Sequence, residues 1–286
     1  MDFAPRISFE IFPPKTPQGD TALDATLGQL APLRPEFLSV TYGADGSGQE
    51  RTVRLVERLI DAKQPLAAHL TCVGATREEV DRLASIWRDM GIRRIVALRG
   101  DVPGGGPWQP REAGYACAAE LVTGLSRIAA FDISVAGYPE SHPDSPSPEA
   151  DIDNLRAKQD AGASTAITQY CFDTDTILRF RDRAAAAGVT MEIVPGILPI
   201  VDFARAVEFS RRCGAGIPDW LYRQFEGLEN DADTAAMVAA SVAVEQCNTL
   251  IEEGFRQFHF YTMNKAPLTY AVCRRLGVHP AISEAA

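Results

Sequence analysis

Eight short runs of β-prone, mostly apolar residues recur along the chain, each followed by a longer stretch with apolar positions at helical spacing. The runs cover residues 6–12, 37–43, 66–72, 94–100, 132–139, 165–172, 192–198 and 257–263. Several carry apolar side chains at consecutive positions, as in IRRIVALRG, instead of alternating. A strand reads this way when helices cover both of its faces, as in a parallel sheet. Between the runs, Val80, Leu83, Ala84 and Trp87 form one helical stripe, Val53, Val56 and Ile60 a second, and Ile177, Phe180 and Ala184 a third. Gly91, Gly162, Gly188 and Gly277 mark helix ends, and Ser147-Pro148 suits an N-cap followed by the first helical position.

Eight strand–helix alternations without a break in composition predict a closed (β/α)₈ TIM barrel, one catalytic domain over residues 1–286. The competing fold is an open, doubly wound sheet. Its glycine-rich fingerprint is missing after the first run, where FEIFPPKTP stands instead. The connection between the seventh and eighth strands, about residues 202–256, is longer than the rest. It predicts two or three extra helices, broken at Ile217-Pro218.

The chain has 286 residues, 46% hydrophobic and 23% charged, with a net charge of −10. That balance permits a large core and argues against nucleic acid as a partner, since no basic excess exists to neutralise phosphates. The six cysteines form no CxxC pair, so reduced thiols are expected and neither a disulfide framework nor a metal site. The start MDFAPRISFEIF lacks a secretion pattern, and no apolar run approaches a membrane span. A cytoplasmic protein without membrane partners is expected; homo-oligomerisation is left open.

In such a barrel the active site is built at the C-terminal ends of the strands. Six or seven of the eight ends carry hydrogen-bonding or charged groups: Glu10, Thr41 and Tyr42, His69, Arg99 and Asp101, Tyr138 with His142, Gln169, and Asn264 with Lys265. A shared polar ligand explains so many better than separate burial does. Glu10, set between Phe9 and Ile11, reads as a catalytic carboxylate whose apolar setting raises its pKa, or as a barrel-bottom ion pair. Asp101 reads as a site residue or as a cap for the loop through Gly104. His69 and His259 each read as satisfied core histidines, and His259 is assigned a structural role. Asp151, Asn154 and Lys158 share one face of the fifth helix, either solvated or lining a ligand surface. Gln169 both donates and accepts, which suits a pterin or flavin edge. The Gly104–Gly106 loop reads as a lid, because no phosphate-cradle residues follow it. Cys72 and Cys171 read as packing thiols.

The strings ISFEIFPPK (7–15), SVTYGA (39–44), HLTC (69–72), ALRGD (97–101), AGYPESH (136–142), DIDNLRAKQDAGA (151–163), AITQYCFD (166–173), PGILPI (195–200) and FHFYTMNKA (258–266) stand in order along the chain. Together they resemble the methylenetetrahydrofolate reductase family, in its short bacterial form. The resemblance implies a (β/α)₈ barrel with non-covalent FAD. It places Thr41, Tyr42, Ala44, His69, Arg99, Gly100, Asp101, Tyr138, His142, Asp151, Asn154 and Lys158 at cofactor-contacting positions. It implies Glu10 as proton donor, Asp101 and Gln169 near the folate pterin, Phe209 as an aromatic stacked on substrate or nicotinamide, and Lys265 at the folate tail. Three positions depart from the family pattern: Ala157 beside Lys158, Arg205 on the helix after strand seven, and Lys265 where an arginine is expected.

The implied activity is NADH- or NADPH-dependent reduction of 5,10-methylenetetrahydrofolate to 5-methyltetrahydrofolate, a step of one-carbon metabolism that supplies methionine. A flavin-dependent amino-acid oxidase and a folate carrier without turnover are the rival readings. Flavin colour and its bleaching by NADH count against the carrier, and re-oxidation of the reduced flavin by folate counts against the oxidase. An aldolase-type lyase is disfavoured because Lys15 and Lys158 lie outside strand interiors.

Overall fold

The computed structural model describes residues 4–42, 47–102, 104, 106 and 108–281, without the side chains of residues 47–49. Ala44 and part of the Gly104–Gly106 loop fall outside these residues. Nine parallel strands form one sheet: β1 (Arg6–Ile11), β2 (Leu38–Val40), β3 (Leu66–Thr71), β4 (Arg94–Leu98), β5 (Asp132–Gly137), β6 (Thr165–Thr168), β7 (Glu192–Val194), β8 (Gly196–Ile197) and β9 (Gln257–Tyr261). Their order is β7-β6-β5-β4-β3-β2-β1-β9-β8. The α-helices are α1 (Pro17–Leu30), α2 (Ser47–Asp61), α3 (Arg77–Asp89), α4 (Ala118–Ile128), α5 (Pro148–Asp160), α6 (Thr174–Ala186), α7 (Phe203–Cys213), α8 (Asp219–Phe225), α9 (Ala232–Glu252) and α10 (Ala266–Arg275).

β7 and β8 are two halves of the seventh barrel strand, divided at Pro195. Proline has no N–H to give a ladder. The strand changes partner there: β7 pairs with β6, and β8 pairs with β9. The Pro195 carbonyl still accepts from His259 N at 3.0 Å, which carries the ladder across the seam. At Gly196 a side chain would meet Thr168 O at 2.1 Å and the Tyr261 ring at 2.6 Å, so only glycine lets β6, β8 and β9 meet. The sheet thus closes into the predicted (β/α)₈ barrel, with α7, α8 and α9 in the long seventh-to-eighth connection.

The strands bury both faces. Outward-facing Phe9, Ile11, Leu38, Val40, Leu70, Ile95, Ala97, Ile133 and Val135 pack under the helices. Inside the barrel, Phe37, Ala67, Val96, Ile167 and Val194 fill the middle layer. His259 shares that layer, 1% exposed, with its ring nitrogens 2.7 Å from Ser8 Oγ and 3.4 Å from Ser39 Oγ. Burial holds it neutral by lowering its pKa to about 3, in keeping with a structural role. The N-terminal end is stitched by the ion pairs Arg6–Glu192 (2.6 Å) and Arg94–Asp132 (3.2 Å).

The helices follow their sequence signals closely. Ser147 accepts from Ala150 N at 3.3 Å, capping α5 ahead of Pro148. Thr76 and Glu79 close a capping box on α3. Val80, Ala84 and Trp87 are buried, as are Ile177, Phe180 and Ala184. On α2 the buried stripe is Thr52, Leu55, Val56 and Leu59; Val53 and Ile60 lie half-buried beside it. α9 is long and apolar enough to span a bilayer by length and composition. Its Ala239, Ala243, Val244, Cys247 and Leu250 are buried in the fold, where α9 packs against α6, α8 and α10.

Candidate active site at the strand tips

Glu10 is the penultimate residue of β1, its side chain 23% exposed. Its register partners are Ser39 on β2 and Tyr261 on β9. His69 Nε2, from β3, lies 3.8 Å from Glu10 Oε2. Desolvation raises the Glu10 pKa from 4.5 to about 8 and lowers that of His69 to about 4. Near neutral pH the carboxyl therefore keeps its proton and the imidazole lacks one. Burial disfavours an ion pair between them, and Glu10 stands at the C-terminal tip of β1, not at the barrel bottom. Two buried polar atoms of β3, His69 Nε2 and Thr71 Oγ1, have no hydrogen-bond partner. Each such atom left unpaired costs about 1–3 kcal/mol.

The segment after β9 is sewn to the end of β1. Thr262 Oγ1 donates to Glu10 O at 2.6 Å. Asn264 Oδ1 accepts from Phe12 N at 3.0 Å, and Asn264 Nδ2 donates to Phe12 O at 2.8 Å. Met263 and Asn264 both adopt left-handed backbone, with φ of 52° and 53°. Strain of this kind is held only where neighbours over-determine it. Here it fixes the backbone of the residue bearing the acid.

A second group lines a cavity of about 380 Å³ between the ends of β4 and β5 and the helices α4 and α5. It contains Arg99, Gly100, Asp101, Tyr138, His142, Asp151, Asn154 and Lys158, eight of the residues singled out from the sequence. Asp151 and Lys158 are 8% and 5% exposed, so that face of α5 is not a solvated one; Asn154 keeps its exposure at the cavity edge. Lys158 Nζ donates to Ala136 O at 3.0 Å. Burial lowers its pKa to about 8, against the opposing pull of the Asp151 carboxylate on the same face of α5. A buried ammonium with donors to spare, beside the Arg99 guanidinium, suits an anion.

Arg99 Nη2 lies 2.8 Å from Asp144 Oδ2 and 3.4 Å from His142 Nε2, with its guanidinium 5.3 Å from the Trp108 ring centre. His142 N donates to Asp151 Oδ2 at 3.1 Å, and its ring meets the Tyr138 ring edge-on at 4.7 Å. Burial, then Arg99, lowers the His142 pKa. Gly100 takes a positive φ of 85°, and a side chain there would sit 2.5 Å from Val73.

The third group lies around β6 and α7. Tyr170 stacks on Phe209 at 6.0 Å and 18°, and its hydroxyl lies 3.0 Å from Ser210 Oγ. Tyr261 Oη donates to Thr168 O at 2.8 Å, one residue before Gln169. Glu10 and Asp101 both raise the pKa of the Cys213 thiol at the end of α7, after its burial. Gln169, the residue after β6, turns its amide oxygen back to accept from Tyr170 N at 3.1 Å.

Four further sequence-derived positions lie outside the β4–β5 cavity. Thr41 donates its backbone N–H to Ile11 O at 3.1 Å, and its carbonyl accepts from Thr52 Oγ1 at 3.0 Å, which ties β2 to β1 and α2. The Tyr42 ring packs edge-on against Trp87 and lines a crevice between α2 and α3, away from the cavity. Lys265 is exposed at the N-cap of α10, and Arg205 is folded back on Asp202 at 3.3 Å. Sequence reasoning left Tyr261, Asp144 and Trp108 without roles; Tyr261 alone carried a signal, as an aromatic hydroxyl at a strand tip.

A family description named methylenetetrahydrofolate reductase matches residues 3–277. The chain is 46% identical over 277 residues to the 5,10-methylenetetrahydrofolate reductase of Salmonella typhimurium, covering 96% of this chain and 92% of that one. The Escherichia coli enzyme of the same name is 45% identical over the same shares. A Clostridium thermocellum protein described as binding two copies of 5-methyl-5,6,7,8-tetrahydrofolic acid has the same fold. Its TM-score is 0.67 and its identity 16%, over 96% of this chain and 94% of that one. The chain belongs to the methylenetetrahydrofolate reductase family.

Proposed function

We propose that the chain reduces 5,10-methylenetetrahydrofolate to 5-methyltetrahydrofolate, with FAD as bound cofactor and NADH or NADPH as hydride donor. One observation carries the reading: the Glu10 carboxyl stands at the tip of β1, 3.8 Å from His69 Nε2, where desolvation raises its pKa to about 8. Opening the five-membered ring of the substrate requires a proton at N10, and a general acid with a pKa near the working pH is the efficient donor. Desolvation of Glu10 supplies that acid, and the Thr262 and Asn264 bonds hold its backbone in place.

The residues of the β4–β5 cavity suit the cofactor. Lys158 and Arg99 present two cations to its diphosphate, and the unpartnered His69 Nε2 and Thr71 Oγ1 offer polar contacts to its ring. FAD, when bound, supplies hydride transfer between the nicotinamide and the one-carbon unit. Gln169, whose Oε1 accepts from Tyr170 N, would offer its amide N–H to the pteridine, and Phe209, stacked on Tyr170, its other face to the aryl extension. Folate binding by the Clostridium thermocellum barrel is in line with this use of the mouth.

The test is an anaerobic titration of the purified protein. A flavin spectrum that bleaches with NADH or NADPH and returns on adding 5,10-methylenetetrahydrofolate is the expected result. A protein that takes up no FAD, or a reduced flavin indifferent to the folate, overturns the reading. Proline, the electron donor of an amino-acid oxidase, is expected to leave the oxidised flavin unchanged.

A further inference from the structure

The two halves of the mouth belong to different parts of the chain. Tyr138 and His142 follow β5 and face the cavity, whereas Phe209 and Cys213 ride on α7. One side chain joins them. The Glu140 carboxylate accepts the Gly216 N–H through both oxygens, each at 3.0 Å, across 76 residues of sequence. The same carboxylate raises the pKa of Cys171 and Tyr170 at the end of β6, adding to the effect of their burial. Glu140 thus meets three segments at once: the loop after β5, the tip of β6 and the turn after α7.

The backbone on both sides is shaped for this contact. Ser141, between Glu140 and His142, holds a φ of 128°, which a non-glycine residue adopts only under constraint. It sends Glu140 toward Gly216, while His142 N is bound to Asp151. A side chain at Gly216 would lie 2.4 Å from Glu140 Oε1. Gly214, with a φ of 72°, lies so close to Pro143 that a side chain there would meet Cγ at 2.6 Å. Two glycines without side chains and one strained serine allow the loops to touch.

We infer that Glu140 is a positioning residue for the substrate half of the site: its bond to Gly216 sets the end of α7, and with it the Phe209 ring. The inference rests on the folate reading above. Loss of the bond should move α7 more than the β5 loop. That loop keeps His142 N to Asp151, Asp144 N to His142 Nδ1 (2.9 Å) and Ser145 N to His142 O (2.8 Å). The turn after α7 keeps Ala215 N to Ser210 O at 3.0 Å.

The experiment compares Glu140→Ala and Glu140→Gln in the FAD-loaded protein. Glu140→Ala is expected to raise the KM for methylenetetrahydrofolate about three- to tenfold, the worth of one charge-assisted bond at a partly exposed site. FAD affinity and kcat should stay within about twofold. Glu140→Gln, which keeps a carbonyl acceptor for Gly216 N–H, is expected to restore most of the KM. An unchanged KM in a folded Glu140→Ala protein overturns the inference, and so does an equal loss of FAD affinity. Hydrogen exchange on the unaltered protein serves where the variant fails to fold: protection of the Gly216 amide supports the clamp, and free exchange overturns it. A wild-type protein inactive on the folate would instead refute the functional reading, so the two failures are distinguishable.

Discussion

Glu10 and His69 face each other at 3.8 Å in the barrel mouth, where desolvation raises the pKa of the acid and lowers that of the base. An acid and a base at that distance in water would exchange a proton and pair. Here burial favours the neutral form of each, so the acid keeps the proton the chemistry needs.

The folate half-reaction should therefore slow as pH rises through about 8, where Glu10 loses its proton. Reduction of the flavin by NAD(P)H does not use that proton and should lack this limb. Single-turnover rates of each half-reaction between pH 6 and pH 10 check the difference.

The same burial affects stability. The Glu10 pKa is raised on folding, so its contribution is fully present below 4.5 and is lost as pH rises to about 8. At pH 7 the protonation of a buried carboxyl costs on the order of 3 kcal/mol. Glu10→Gln should then stabilise the fold, with a gain that grows from pH 5 to pH 8 and levels off above. Urea denaturation at several pH values measures it.

Lys158 is expected to hold the cofactor phosphates. Removing its charge in Lys158→Met should weaken FAD binding about 10- to 100-fold, the range for a charge-assisted hydrogen bond. Riboflavin lacks phosphate, and its affinity should change little. Flavin fluorescence titrations give both constants.

Asp144 competes for Arg99 at 2.8 Å. It is about half exposed, so the pair is worth little in itself. A carboxylate there still opposes an incoming anion. Asp144→Asn should tighten FAD binding about two- to fivefold, read by the same titration.

Much of the fold was legible because strand and helix periods differ. Seven of the eight barrel strands begin at the first residue of their sequence run; the second begins at Leu38, one residue late. The break at Pro195 was not legible, because a partner change at a strand's midpoint leaves only a proline, which also marks turns. Glu10 and Gln169 were legible as polar residues where apolar ones are usual. The inward turn of Asp151 and Lys158 was not, since their helix face alternates with a buried one and both patterns suit an amphipathic helix. The Tyr42 ring stands apart for a similar reason: its position was readable, but its direction depends on packing against Trp87. Asp144 and Glu140 lay in a loop, where no periodicity assigns a partner.

The most direct measurement is stopped-flow analysis of Glu10→Gln in its two half-reactions. Flavin reduction by NAD(P)H is expected to stay within a few-fold of the unaltered protein, and re-oxidation by 5,10-methylenetetrahydrofolate to fall at least about 100-fold. Survival of both rates would contradict the assignment of Glu10 as the proton donor.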